Sequence, residues 1–257
     1  MTDPAKIRLD QALVERRLIA TRARARDAVL RGLVCVDGII ARKPGLTVRH
    51  DTRIELTEHP APYVSRAGEK LAHGLDHFGI DPTGHMCLDI GASTGGFTEV
   101  LLKRGAAHVY AVDVGHGQMH ESLRKDPRVT VLERLNVRDL TSDHLPSSPG
   151  IIVCDVSFIS LTLALPPALA LAAPGARLIA LIKPQFEVGR ENLGKGGIVR
   201  DPSLHNAVCN DICTWLGQDK AWVVRGLLPS PVEGSDGNRE FLVSAWRQTV
   251  STAPHEA

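Results

Sequence analysis

The run Leu88-Asp89-Ile90-Gly91-Ala92-Ser93-Thr94-Gly95-Gly96-Phe97 constrains this chain more than any other stretch. An apolar strand ends in an acid, turns through glycines and opens a helix. An open, mostly parallel α/β sheet builds a ligand crevice this way, beyond its strand ends. A second apolar stretch, His108 to Val112, ends in Asp113, 22 positions beyond Gly91. A carboxylate there can accept hydrogen bonds from both ribose hydroxyls of an adenosine-containing cofactor. The glycine spacing narrows the choice. A dinucleotide loop reads G-x-G-x-x-G and approaches a pyrophosphate, but the third position here is Ser93. The loop therefore suits an adenosine cofactor without phosphates, and S-adenosylmethionine fits. The expected cofactor contacts are Asp89, Gly91, Ala92, Ser93, Thr94, Gly95, Gly96, Phe97 and Asp113, with Asn136 after the third strand near the adenine.

The rest of the chain is consistent with such a sheet. Strands are expected near 86–90, 108–113, 129–133, 150–155, 176–182, 221–228 and 240–246. Helices are expected near 67–77, 96–104, 118–124, 160–172 and 203–216. Alternation of the two, closing on strand after strand, predicts a doubly wound, mostly parallel sheet with an antiparallel member. Aromatic residues are 4% of the chain against 43% apolar, so the core is aliphatic, as strands buried on both faces require.

Charge divides the chain unevenly. Residues 1–60 hold 12 Lys and Arg against 8 Asp and Glu, whereas the remainder holds 18 against 21. A basic N-terminal segment beside a mildly acidic body predicts a polyanion-binding module attached to a larger domain. The expected boundaries are 1–58 for the module, 59–64 for a proline-stiffened linker and 65–250 for the α/β domain. Within the module, Ile7 to Val14 reads as a short amphipathic helix. Thr21 caps a second helix running through Arg31, and Gly32 stops it. Short strands follow around Asp37-Gly38 and near Val48 and Ile54. Arg8, Arg16, Arg17, Arg22, Arg24, Arg26 and, beyond the linker, Arg66 are candidates for backbone phosphates.

Five cysteines without a C-x-x-C pair predict a reducing, cytoplasmic setting, and eleven histidines show no metal-binding spacing. The longest apolar run, Leu161 to Ala173, contains two prolines and is too short to span a bilayer. The glycine-rich segment Gly189 to Gly197 is expected to be a mobile loop over the crevice that orders on RNA.

Four polar residues stand at the rim. Lys70 lies on the helix entering the α/β domain, Asp155 ends Ile151-Ile152-Val153-Cys154, Lys183 ends Leu178 to Ile182, and Glu240 opens the last strand. Asp155 and Lys183 fall on what should be adjacent strands, and Asp155 also faces the cofactor. A lysine there can serve as a base for a weakly acidic hydroxyl only while neutral. Free lysine titrates near 10.4, roughly, so such a site needs burial or neighbouring positive charge. Asp155 would orient Lys183, Lys70 would aid a developing alkoxide, and Glu240 would position Lys70 or a ribose.

Two resemblances sharpen this. Arg8-Leu9-Asp10-x-x-Leu13, Thr21-Arg22-x-x-Ala25, Gly32-x-Val34-x-Val36-x-Gly38, Lys43-Pro44 and Ile54-x-Leu56 resemble the RNA-binding domain shared with ribosomal protein S-four, with Thr21 where that family has serine. Lys70, Asp155, Lys183 and Glu240 resemble in identity and order the tetrad of FtsJ-like ribose methyltransferases. Together with Tyr63 to Leu71, Asp155 to Ser160 and Lys183 to Glu187, the chain resembles the TlyA family, often labelled hemolysins. The resemblance implies a Rossmann-like methyltransferase sheet with a small N-terminal α+β RNA-binding domain. It further implies S-adenosylmethionine-dependent 2′-O-methylation of ribosomal RNA cytidines, on RNA or ribosomal subunits, with neither membrane nor metal as partner. Three rivals stand beside it: a non-catalytic ribosome-binding or assembly factor, a membrane-lytic protein and a nicotinamide oxidoreductase.

Overall fold

The computed structural model describes residues 6–30, 32–56, 63–194, 196–219, 221–234 and 237–249. The chain separates into two compact units, Met1–Arg66 and Ala67–Ala257. Most of the expected linker lies outside the described residues.

The first unit runs β1 (Ile7–Arg8), α1 (Leu9–Glu15), α2 (Arg22–Leu30), β2 (Val34–Val36), β3 (Ile39–Ile40), β4 (Thr47–Val48) and β5 (Ile54–Leu56). The expected helix from Ile7 starts two residues later, because Ile7 and Arg8 pair antiparallel with Val48 and Thr47. The Lys43-Pro44-Gly45 turn explains this. Leu9 N–H donates to the Leu46 carbonyl at 2.7 Å and Asp10 N–H to Pro44 at 3.0 Å, satisfying donors that the first helical turn leaves open. Thr21 Oγ1 accepts from Arg24 N–H at 3.3 Å, as a helix cap does. Gly32 takes φ +74°, a left-handed stop that a side chain disfavours. Leu9, Leu13, Ala25, Val29 and Val34 are buried together as the core of this unit.

The second unit runs α3 (Ala67–Phe78), β6 (Met86–Ile90), α4 (Gly96–Lys103), β7 (His108–Asp113), α5 (Glu121–Arg124), β8 (Val129–Glu133), β9 (Ile151–Cys154), α6 (Leu161–Ala164), α7 (Pro166–Leu171), β10 (Arg177–Ile182), α8 (Pro202–Gln218), β11 (Trp222–Pro229) and β12 (Phe241–Arg247). The seven strands stand in the order β11-β12-β10-β9-β6-β7-β8. Strands β8, β7, β6, β9 and β10 pair in parallel, and β12 runs antiparallel between β10 and β11. The helix expected over 160–172 is two pieces, because Pro166 and Pro167 bring no N–H and begin a new helix instead. The helix expected at 118–124 shrinks to one turn, because His120 is extended at ψ 138° and caps it, its ring accepting from Ser122 N–H at 3.3 Å.

Alternation along the strands sets the two faces. Leu88, Ile90, Ile152, Leu178 and Ile182 cluster with Leu161, Leu165, Val208 and Ile212 from the helices. On the opposite face, a Cβ at Gly74 of α3 would sit 3.5 Å from Ile179 and 3.6 Å from Leu242. Those are ordinary van der Waals distances, so α3 lies against β10 and β12 at this point, which carries Lys70 to the rim.

Candidate active site

Strand register does most of the assembly. Ile182 pairs with Phe241 across the antiparallel β10–β12 ladder, so Lys183 and Glu240 extend that ladder as opposite neighbours. Parallel β9 and β10 pair through Cys154 and Ala180, which places Asp155 at the same rim. Lys183 Nζ lies 2.6 Å from Asp155 Oδ1 and donates to Ser157 Oγ at 2.9 Å. Lys70 Nζ pairs with Glu240 Oε2, both side chains almost fully buried at 6% and 4% exposure. Burial pushes the Glu240 carboxyl up from its usual range, against the pull of Lys70 and then Lys183, while Asp155 pushes it up further. The two ion pairs thus act on one another. Lys183 and Glu240 line one pocket of about 440 Å³ with Ser157, Phe158, Phe186, Gly196 and Gly197.

A second crevice, about 930 Å³, adjoins it through Ser157, Phe158 and Phe186. Gly91, Ser93, Asp113, Asn136 and Asp155 line it, joined by Val114 and Leu163. Both oxygens of Asp113 are held by backbone, Oδ2 by Ser93 N–H and Oδ1 by Gly115 N–H, each at 2.7 Å. A carboxylate has about four acceptor sites, so two remain for a pair of ribose hydroxyls. Asn136 Oδ1 accepts from Arg138 N–H and Nε at 3.1 and 3.2 Å, which leaves its NH₂ as the group to offer a purine. At Gly91, φ is +80° and a Cβ would come within 2.4 Å of the Asp155 carbonyl oxygen. Only glycine lets the turn pass over the end of β9. The glycine turn, the backbone-held carboxylate of Asp113 and the largely apolar lining fit S-adenosylmethionine.

Not every expected cofactor residue lines the crevice. Ala92, Gly95, Gly96 and Phe97 are buried behind it and shape the turn, and Thr94, though exposed, spends its carbonyl on His120 N–H at 3.1 Å. Asp89 is fully buried beneath the turn, its Oδ2 accepting from Thr98 Oγ1 at 2.6 Å. Its Oδ1 is buried with no hydrogen-bond partner. Burial, with Asp155 and Asp113 adding repulsion, outweighs the Thr98 bond and lifts this carboxyl to about 7. The folded chain therefore keeps a proton on Asp89 that the unfolded chain loses near its ordinary value of 3.8. The stability this contributes is full below that value and is lost as pH rises to about 7. Denaturation of the wild type and Asp89→Asn should show a stability difference that moves against the wild type across this window and then levels. A difference independent of pH would refute the burial argument.

In the first unit the arginines divide by task. Asp10, fully buried, accepts from Arg8 through two bonds of 3.0 Å and from Arg22 at 3.4 Å. Arg8 chiefly, through these bonds, holds the Asp10 carboxyl below its usual range. Both guanidiniums stay half exposed, at 50% and 55%. Arg16 instead donates to the carbonyls of Thr52, Arg49 and His50, at 2.6, 3.1 and 2.8 Å, and fastens that turn. Arg24 reaches the Tyr63 carbonyl at 3.3 Å, and Arg66 lies 3.8 Å from Asp27. Arg17 and Arg26 are exposed and form no ion pair among the described residues. Nothing local in the sequence distinguishes these fates.

Sequence reasoning missed Phe158. Its ring is 90% exposed and its φ is +66°, unusual for a bulky side chain. It stands 5.0 Å from the Phe186 ring at the junction of crevice and pocket. An aromatic residue in a short loop beside a catalytic candidate was the available signal. The expected mobile segment is tied at one end: Asn238 Oδ1 accepts from Val199 N–H at 2.9 Å and its Nδ2 donates to the Gly197 carbonyl at 3.1 Å. Among the described residues no three His, Cys, Asp or Glu could hold a metal, and no helix is long and apolar enough to cross a membrane.

Residues 63–247 match the FtsJ-like methyltransferase family, and residues 7–54 match the S4 domain. The 16S/23S rRNA (cytidine-2′-O)-methyltransferase TlyA of Mycobacterium tuberculosis is 43% identical over 245 residues, covering 95% of this chain and 90% of that protein. Hemolysin A of Brachyspira hyodysenteriae is 39% identical, over 92% of this chain and 98% of its own. A solved structure described as a hemolysin from Streptococcus thermophilus superposes with a TM-score of 0.75 at 40% identity, covering 96% of this chain and 90% of that one.

Proposed function

The chain belongs to the TlyA family of FtsJ-like methyltransferases, and from that premise we propose that it methylates the ribose 2′-hydroxyl of cytidine in ribosomal RNA. One observation carries the reading at the level of chemistry. Two amines and two carboxyls meet as paired ions at the rim of the sheet, beside a crevice lined by Gly91, Asp113 and Asn136. Bound S-adenosylmethionine supplies an electrophilic sulfonium methyl. The chain must manage the proton of the acceptor hydroxyl. Lys183, held against Asp155, takes that proton while neutral. Lys70, fixed by Glu240, steadies the negative charge that develops on the oxygen. Alignment of the acceptor with the methyl group can contribute about 7–11 kcal/mol.

The first unit supplies the grip on structured RNA through phosphates rather than bases, with Arg8, Arg17, Arg22 and Arg26 offering exposed guanidiniums. Ribosomal subunits or their RNA are the partners this implies, and the five free cysteines suit the reducing cytoplasm where they are made. The test is mass mapping of ribosomal RNA treated with the protein and methyl-labelled cofactor. Ribose-methylated cytidine is expected, and a methyl on the base would overturn the proton-transfer chemistry.

Phe158 serves in this reading as a platform for the acceptor's base. A base–aromatic stack contributes about 1–3 kcal/mol, so Phe158→Ala should raise KM for RNA by about 5- to 150-fold. Cofactor affinity measured by calorimetry should move little. An unchanged KM would remove Phe158 from the acceptor site.

A further inference from the structure

We propose that Ser157 is a positioning residue that aims the Lys183 lone pair at the acceptor hydroxyl, an inference that rests on the ribose-methylation reading. A neutral lysine amine is tetrahedral, with its carbon, two N–H bonds and one lone pair. Asp155 Oδ1 sits 2.6 Å from Nζ as the counter-charge but makes no hydrogen bond there. Ser157 Oγ accepts the hydrogen bond of Nζ at 2.9 Å. With the side-chain carbon also fixed, that bond sets the rotation of the amine, in the pocket that Lys183 shares with Ser157, Phe158 and Glu240. Asp155 alone cannot do this, because a charge contact without a hydrogen bond leaves the amine free to rotate about its Cε–Nζ bond and point either an N–H or the lone pair at the acceptor.

Placement supports the assignment. Ser157 lies two residues beyond Asp155 and lines both the crevice and the pocket, so its hydroxyl stands where the two meet. Its side chain is exposed, so the hydroxyl is not needed for the core. The charged groups facing Lys183 are Asp155 from the end of β9 and Glu240 from the start of β12, with Lys70 of α3 behind Glu240. None of them duplicates the serine. The proton step then balances simply: the acceptor O–H bond breaks, its proton bonds to Nζ, and the ammonium so formed uses its third N–H where the lone pair stood. No nucleophilic role for Ser157 is involved.

The experiment compares the full-length wild type, Ser157→Ala and Ser157→Thr on ribosomal RNA as probe. It reads kcat, cofactor affinity, thermal melting and the solvent deuterium isotope effect on turnover. Misaimed proton transfer should lower kcat of Ser157→Ala by about 10- to 100-fold. Its cofactor dissociation constant and melting should stay near wild type, and its isotope effect should grow. Ser157→Thr, which keeps the hydroxyl, should recover most of the rate. Wild-type kcat in Ser157→Ala, or a loss that threonine fails to rescue, overturns the proposal, as does a loss with an unaltered isotope effect. Failure of the wild type to methylate ribose would instead overturn the underlying reading, and the proposal with it.

Discussion

Lys183→Met should reduce turnover by about 10²- to 10⁴-fold, the range for loss of a general base. At roughly 1.4 kcal/mol per decade this is about 3–5 kcal/mol of transition-state stabilisation. Methionine keeps most of the volume and removes the amine, so the stem can still pack where Lys183 lies, 11% exposed. Asp155 then loses its cation, yet it sits at a rim with 13% exposure rather than in a sealed core. The fold should therefore survive. Cofactor binding should be largely retained, because the crevice is built mainly from the glycine turn, Asp113 and Asn136 rather than from Lys183. Single-turnover methylation with saturating cofactor and RNA reads the chemical step directly. Activity within about tenfold of wild type would remove Lys183 as the base.

Breaking the Lys70–Glu240 pair should have the largest effect on stability. Both groups are buried and far apart in sequence, by 170 positions. Glu240→Leu leaves an ammonium in a nearly dry site, and Lys70→Met leaves a carboxylate there. Either should cost about 3–5 kcal/mol, because the remaining charge keeps its desolvation penalty and loses its partner. The double variant Lys70→Met/Glu240→Leu should recover most of that loss, since apolar groups of similar volume often replace a buried pair at no net cost. It should remain inactive. Recovery of stability without recovery of methylation would show a pair retained for chemistry rather than for folding. Denaturant midpoints for the three variants settle the first half and methyl incorporation the second. A single substitution costing under about 1 kcal/mol, or an active double variant, would contradict this account.

The site was legible in parts, and the parts share a cause. Asp113, Asp155 and Lys183 each end an apolar strand, and a polar residue there is visible as a break in a short local pattern. Gly91 was legible because the strand-to-helix turn needs a left-handed residue, φ +80°, which favours glycine. Phe158 was not, because exposure and a positive φ are properties of a loop held between two strands. Arg16 and Arg22 look alike in a list of basic residues. One is bound to three carbonyls of a distant turn, and the other leans on a buried aspartate and faces solvent. The start of α1 was misplaced for the same reason: Pro44 and Leu46 supply its acceptors from over 30 residues away.

The amino-acid sequence by itself determined the class of sheet, the kind of cofactor loop and which polar residues would stand at strand ends. Those features follow from alternation, glycine spacing and helix breaks, whose physics acts within a few residues. The tertiary structure alone decided which charges meet. It joined Lys70 to Glu240 and Lys183 to Asp155 and Ser157, and it spent Arg16 on backbone. A charge takes its partner according to burial and to the register of strands distant in sequence, such as Ile182 against Phe241, and neither is a local property of the chain.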